Sequence, residues 1–363
     1  MPNPVTVNIL DTYYMAGLWE GLSPVPSFFK DRYFPTNPGD IFAADKVLVE
    51  YRDGDYGMAP FMVESADPIN VSRGSYEIHD YSPLTIKQSR NLTADQLKQR
   101  GFGEAILSGS TEEERAAGLV SEDLALLERR FARSEELLCV NTILNNGFQV
   151  NEMVDANNVG NVASVKFYDP NVGNDGAYTI NPQWTTSTDW ADIEDDVVAM
   201  CESLSERGLP AQDLVIGNEV KKVFLANADF RELVNKTSGI IIANEIRQAL
   251  TAYHGVSVLG AINFGGYVLN VIVANEKYKA SNGTMTLFFP DDGVLVTAPN
   301  AGHLMYGHVV HMDEDGNIDT ITGKRVPDLF VNRKQKTREL VLEARPFAAP
   351  QNYSPWVYGA NAV

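Results

Sequence analysis

The segment from Ser110 to Gly147, "STEEERAAGLVSEDLALLERRFARSEELLCVNTILNNG", constrains this chain more than any other. Val120, Leu124, Leu127, Phe131 and Leu138 recur at helical spacing, and Leu137, Val140, Ile143 and Leu144 widen the stripe towards its end. Ser110 with Glu113 forms a capping box, Ser121 with Glu122 and Asp123 gives a second start signal, and Asn146-Gly147 gives a stop. From Ser121 to Asn146 such a rod is roughly 39 Å long at 1.5 Å per residue. That is long for an ordinary domain helix, so the remaining elements are expected to be arranged along it.

Ahead of the rod the pattern is not helical. Residues 1–45 are rich in proline and aromatics and read as an arm, with a short helix around Ile9 to Leu18. "PSFFKDRYFP" brings Phe28, Phe29, Tyr33 and Phe34 into ten residues, and rings so near a terminus need cover from something else. "KVLVEYRDGDY" alternates with period two before Asp-Gly punctuation. About thirty-five extended residues follow, and a loop of that length inside a compact domain is usually a functional excursion.

After the rod, "VASVKFYDP" and "GAYTINP" suggest a hairpin around "NVGNDG" within 148–182. A second lobe starts near Trp184. It opens with the amphipathic helix "TDWADIEDDVVAMCESLSERGLP", with Ile193, Val197, Met200 and Leu204 on one face. The strand "DLVIGN" follows, then helices at about Glu219 to Asn227 and around "ANEIRQALTAYHG", then strands in "VSVLGAI", "YVLNVIVANEKY", "TMTLFFP" and "GVLVTA". "TRELVLEARPF" reads as a returning strand.

At 363 residues with 44% hydrophobic and 21% charged content, two folded lobes are expected. The net charge of −19 argues against a surface that grips nucleic acid by neutralising phosphates. No run approaches the ~20 apolar residues of a membrane span, and the N-terminus lacks the pattern of a signal peptide, so cytoplasmic synthesis is expected. Cys139 and Cys201 each fall in an apolar helical pattern and read as core filler.

Enzymatic signatures are sparse. "GAINFGG" has its glycines at the wrong spacing for a dinucleotide turn, and there is neither a P-loop nor a G-x-S-x-G elbow. His303, His308 and His311 would alternate across the faces of a strand, which suits polar positions on an antiparallel sheet better than a metal site. "DEDGNID" carries Gly316 too early for a calcium loop and reads as a hairpin turn. The basic run Arg333, Lys334, Lys336 and Arg338 stands out in an acidic chain and suits either a solvated strand end or contact with an acidic neighbour.

The order of these elements resembles the major capsid proteins of lambda-like tailed bacteriophages (the phage capsid protein E family), which have the α+β Hong Kong 97-type fold. "FFKDRYFP", "MAPFMVE", "SRGSYEIHDYSPLTIK", "LLERRFARSEELL", "FFPDDGVLVTA" and "TRELVLEARPFAAPQ" carry the resemblance, through their order and spacing. It implies an N-terminal arm at 1–45, an E-loop hairpin at 46–90, and a peripheral domain at 91–183 with spine helix 110–146. It further implies an axial α/β domain at 184–330, and a C-terminal strand and tail at 331–363 returning to the peripheral domain. The implied function is a virion shell of pentamers and hexamers around double-stranded DNA, assembled in the host cytoplasm with a portal. No cofactor, metal or catalytic residue is implied.

Inter-subunit contacts are then expected at Phe28, Phe29, Tyr33, Phe34, Met58, Phe61, Met62, Val63, Ile69, Arg73, Arg333, Lys334, Lys336 and Arg338. The arm begins almost at Met1, so a separate scaffold protein is expected. No lysine occurs between Val47 and Ile86, so the isopeptide cross-link of some relatives is not expected, and stabilisation would fall to a decoration protein. Two other readings use the same residues: an encapsulin-like compartment of the same fold, and a cytoplasmic enzyme built on Trp184 to Phe330 with His303 or His308 in its site.

Overall fold

The computed structural model describes residues 25–52, 76–93, 112–153, 158–167, 176–237, 253–280, 283–312, 318–332 and 337–363. In chain order, α1 (Phe28–Tyr33) is followed by β1 (Val47–Arg52), β2 (Tyr76–Tyr81), β3 (Ile86–Thr93) and the rod α2 (Glu112–Asn145). Next come β4 (Gly147–Met153), β5 (Val159–Lys166), β6 (Ala177–Thr179), α3 (Trp190–Glu206), β7 (Asp213–Ile216), α4 (Asn218–Ala226) and α5 (Ala228–Thr237). The strands β8 (Val256–Phe264), β9 (Tyr267–Ala274), β10 (Lys277–Lys279), β11 (Met285–Leu287), β12 (Val294–Thr297) and β13 (Gly302–Tyr306) follow. The chain closes with β14 (Val309–Met312), β15 (Ile318–Ile321), β16 (Val326–Asn332), β17 (Thr337–Ala344), β18 (Pro346–Pro350) and β19 (Trp356–Ala360).

The rod is longer than its second start signal implies: 34 residues, or roughly 51 Å. It ends where Asn146 takes φ 49°, a left-handed conformation that asparagine tolerates, and the chain leaves as β4. Its apolar stripe is shared between two cores. Val120, Leu124, Leu127 and Phe131 pack on Leu92, Leu329, Leu340 and Leu342 of the sheet β16-β17-β3. Leu138, Val140 and Ile143 enter a larger core with Phe148, Leu304 and Phe347.

A six-stranded sheet, in the order β6-β19-β12-β7-β9-β8, forms the second body. Successive residues alternate between its faces. Leu214, Ile216, Val271, Val273, Val294 and Val296 meet α3 and α4, while Val215, Ile272 and Leu295 meet the core at the end of α2. A sheet covered on both sides needs continuous apolar strands, which is why "DLVI" and "VLVT" are buried throughout. Cys139 lies in one core and Cys201 in the other, both free and buried. Among the described residues no helix is long and apolar enough to cross a membrane.

Three expectations are corrected. The hairpin after the rod pairs β4 with β5, Gly147 opposite Lys166, and not 162–170 with 176–182. β6 instead runs parallel to β19 in the six-stranded sheet. A boundary at 330 would cut β16, which pairs along its length with β17, so β13, β16, β17 and β18 belong with the rod. The C-terminal segment also divides: β17 and β18 lie against the rod, whereas β19 inserts between β6 and β12. The helix expected at Ile9 to Leu18 and the one around "ANEIRQALTA" lie outside the described residues, as does the turn 313–317, whose flanks β14 and β15 do form a hairpin.

Candidate functional site

Among the described residues the densest polar chemistry lies where the arm crosses the junction of rod and sheet. α1 is short, and Asp31 steadies its start by accepting the Ser27 N–H at 3.1 Å. Phe28, Phe29 and Tyr33 point inward. Phe28 meets Phe29 edge-on at 5.0 Å between centroids, and Phe29 stacks on Phe289 at 5.8 Å. Phe34 packs against Trp356 at 5.9 Å and over Gly302, where an added methyl would sit 2.6 Å from its Cδ1. All four rings are 2% exposed or less within the single chain. The expectation that they are covered mainly by the assembled shell is therefore corrected: they are core residues, and fully burying each contributes about 1.5–3 kcal/mol.

The arm's polar groups tie the rod to the six-stranded sheet. On the rod side, the Phe29 and Lys30 N–H groups donate to Glu136 Oε1 and Oε2 at 2.7 and 2.8 Å, and Lys30 Nζ reaches Glu135 Oε2 at 3.2 Å. On the sheet side, Arg32 holds Asp213 through two bonds of 2.6 and 2.8 Å, and Tyr33 Oη and Asn270 Nδ2 donate to the same carboxylate at 3.1 and 3.0 Å. Beyond α1 the arm runs along β13. Asn300 N–H donates to Arg32 O at 3.0 Å, Thr36 Oγ1 to Leu304 O at 2.9 Å, and Phe42 N–H to Tyr306 O at 3.1 Å. A buried backbone must find such partners.

Arg325 completes the clamp. Its guanidinium meets Glu135 at 2.5 and 2.9 Å and Glu128 at 2.8 and 3.1 Å, lying over the rings of Phe131 and Tyr306 at 5.3 and 5.9 Å. Tyr306 Oη adds a bond to Glu135 Oε1 at 2.9 Å. Burial alone would raise the Glu135 carboxyl, but Arg325 and Lys30 hold it down at about 2. Burial pushes Glu136 up to about 8, against the pull of the two amide N–H groups. Adjacent glutamates thus have opposite tendencies because only one faces a buried cation.

The remaining expected site residues divide by position. Met58, Phe61, Met62, Val63, Ile69, Arg73, Arg333, Lys334 and Lys336 lie outside the described residues. Arg338 is half-buried on β17, in register with Leu92 and Val331. The histidines do not converge. His303 Nδ1 is 3.5 Å from Asp40, His308 Nε2 is 4.0 Å from Asp45, and His311 Nδ1 is 3.2 Å from Asp328, each pair at a different place. Among the described residues no group of histidine, cysteine and acidic side chains could hold a metal ion. Val310, Met312 and Ile318 share the outward face of the β14–β15 hairpin and are mostly exposed.

Sequence reasoning passed over Glu135, Glu136, Asp213 and Arg325. The available signal was "SEELL", a double glutamate inside the rod's apolar pattern between Phe131 and Leu138. The clamp's carboxylates, cations and amide groups are paired with one another, an arrangement that holds the rod to the six-stranded sheet.

Comparison with known proteins agrees. The chain matches the family of phage major capsid protein E over residues 11–361. It is similar to a protein assigned as the capsid protein of an E. coli CFT073 prophage, with 17% identity and a TM-score of 0.66, covering 96% of this chain and 98% of that one. It is also similar to a phage-related protein from Bordetella bronchiseptica RB50, at 12% identity, TM-score 0.49 and 97% coverage of each chain. The procapsid of satellite phage P4, which includes its size determination protein, matches at 12% identity and TM-score 0.44, over 96% of this chain and 97% of that one. No curated protein matches. The fold is the Hong Kong 97 type, and the chain belongs to the phage major capsid protein E family, the structural proteins that form phage shells.

Proposed function

We propose that this chain is the repeating unit of an icosahedral head, arranged as pentamers and hexamers around double-stranded DNA that it holds without sequence-specific contacts. The observation that carries this reading is the β1–β2 stem. Val47 is buried, and Tyr81 packs on Phe167 and Phe347 at 5.6 and 5.4 Å, so the stem is rooted in the core. Yet its two strands pair with no third strand among the described residues. A lone two-stranded ladder is marginal in water, so its continuation gains cover from an adjacent subunit. Met58, Phe61, Met62, Val63, Ile69 and Arg73 supply that contact, and Arg333, Lys334, Lys336 and Arg338 meet acidic neighbours.

In this reading α2 with the sheet β16-β17-β3 and the hairpin β4–β5 is the peripheral body. The six-stranded sheet with α3, α4 and α5 is the axial body, and residues 1–45 are an arm whose second half clamps the two. Each subunit touches several neighbours at once, so weak contacts add up to a closed shell. A wall of −19 per subunit does not trap the packaged polyanion. A scaffold protein, a portal and a decoration protein complete the head in the host cytoplasm. Electron microscopy and sedimentation of the purified protein test the proposal: closed shells are expected, and a monomer persisting across protein and salt concentrations would refute it.

A further inference from the structure

Midway along the rod, just beyond the exposed Glu122, its outward face is basic in a chain that is otherwise strongly acidic. Arg129, Arg130 and Arg133 are exposed, and with the partly exposed Leu126 they fall within about 100° of the helix circumference. Arg129 donates to the carbonyl of Ala125 at 3.2 Å, and none of the three arginines forms a salt bridge among the described residues. Arg133 lies within electrostatic reach of Glu276 of its own chain, which leaves Arg129 and Arg130 as the freer charges. The stripe from Leu126 to Arg133 is roughly 11 Å long.

The other body carries its counterpart. α3, "WADIEDDVVAMCESLSE", contains no basic residue, and its outward face presents Asp192, Asp195, Glu202 and Glu206, all exposed, within about 80°. These four differ from Glu194 and Asp196, which bond within the chain to the Gly265 N–H and to Tyr178 and Trp184. From Asp192 to Glu206 the acidic row is roughly 21 Å long, with Ala199 leaving its middle low. The two rows are similar in width and opposite in charge, and the acidic row is long enough to take the whole basic stripe.

We infer that the basic stripe of α2 docks on the acidic face of α3 in a second copy of this chain. The inference rests on the shell reading and gives it one specific contact. Because the two surfaces differ, the contact is head-to-tail, the kind that closes into rings when the rotation allows. Opposite charges would also fix the register of neighbours. Packaged DNA is the competing polyanion, but the chain's net charge of −19 opposes its binding.

Charge reversal on each side and a swap test the contact. Arg129→Glu with Arg130→Glu is expected to raise the protein concentration needed for particle formation at least about tenfold, because each subunit repeats the lost contact. Asp195→Lys with Glu202→Lys, on the independent helix, is expected to do the same, and the four substitutions together restore assembly to near the wild-type concentration. Circular dichroism melts confirm that each variant folds. Particle formation unchanged by either reversal would overturn the inference, as would a swap that fails to restore two folded but inactive partners. A stripe variant that assembles normally but loses retained DNA would overturn it in favour of nucleic acid. Wild-type protein that forms no particles would bring down the shell reading itself, a result distinct from the others.

Discussion

Replacing Arg325 with leucine removes the cation on which Glu135 and Glu128 converge. Glu135 has no exposed surface, and its carboxyl sits at about 2 rather than 4.5, a depression worth about 3 kcal/mol. Breaking a buried pair by deleting one partner costs about 3–5 kcal/mol. Lys30 at 3.2 Å and Tyr306 at 2.9 Å still hold Glu135, which places the expected loss near the lower end, about 3 kcal/mol at pH 7. The pH dependence is fixed in sign. A lowered folded-state carboxyl stabilises above its unfolded value near 4.5 and loses that contribution as pH falls towards 2, so the deficit is largest at neutral pH and shrinks towards pH 3. Urea unfolding of the dissociated subunit reads the loss free of assembly, which would otherwise make stability depend on concentration. Adding Glu135→Gln should recover part of it. A deficit under about 1 kcal/mol at pH 7, or one equal at both pH values, refutes the clamp as the tie between rod and sheet.

Gly302→Ala places a methyl 2.6 Å from Phe34 Cδ1 and should cost about 1–3 kcal/mol while speeding protease cleavage ahead of residue 35; an unchanged digestion pattern would contradict the seat described for that ring. Glu136 and Glu276, pushed by burial up to about 8 and about 7, bind more protons folded than unfolded between pH 4.5 and 8. Their contribution to stability therefore falls as pH rises through that window, and Glu136→Gln should flatten the trend in calorimetric melting temperatures. With no lysine between Val47 and Ile86, denaturing gels of mature particles should show a single band near 40.0 kDa, and a ladder of covalent multimers would count against uncross-linked subunits.

The rod, α3, α4 and the strands β7, β8, β9 and β12 were readable because each carries its own period, 3.6 or 2, within a short window. Partners were not. "GAYTINP" reads as the partner of the nearest strand, whereas β6 pairs with residues 358–360, which no local pattern announces. The arm is a similar case. Its rings plainly needed cover, but Phe34's seat is made by Gly302 and Trp356, hundreds of residues away and invisible before folding. Arg325 and Glu135 stand 190 residues apart, so the sequence could flag a charge in an apolar pattern without naming its counter-ion.

The place of β19 bears on when this protein becomes competent to polymerise. The strand that joins β6 to β12 comes last among the described strands, and it brings Trp356 into the junction core. A nascent chain on the ribosome therefore has an unfinished central sheet until some 360 residues have been made, however early the rod has formed. Chains cut short of β19 lack both the strand that joins β6 to β12 and the Trp356 ring of the junction core. Sheet and junction core are closed together by one late strand.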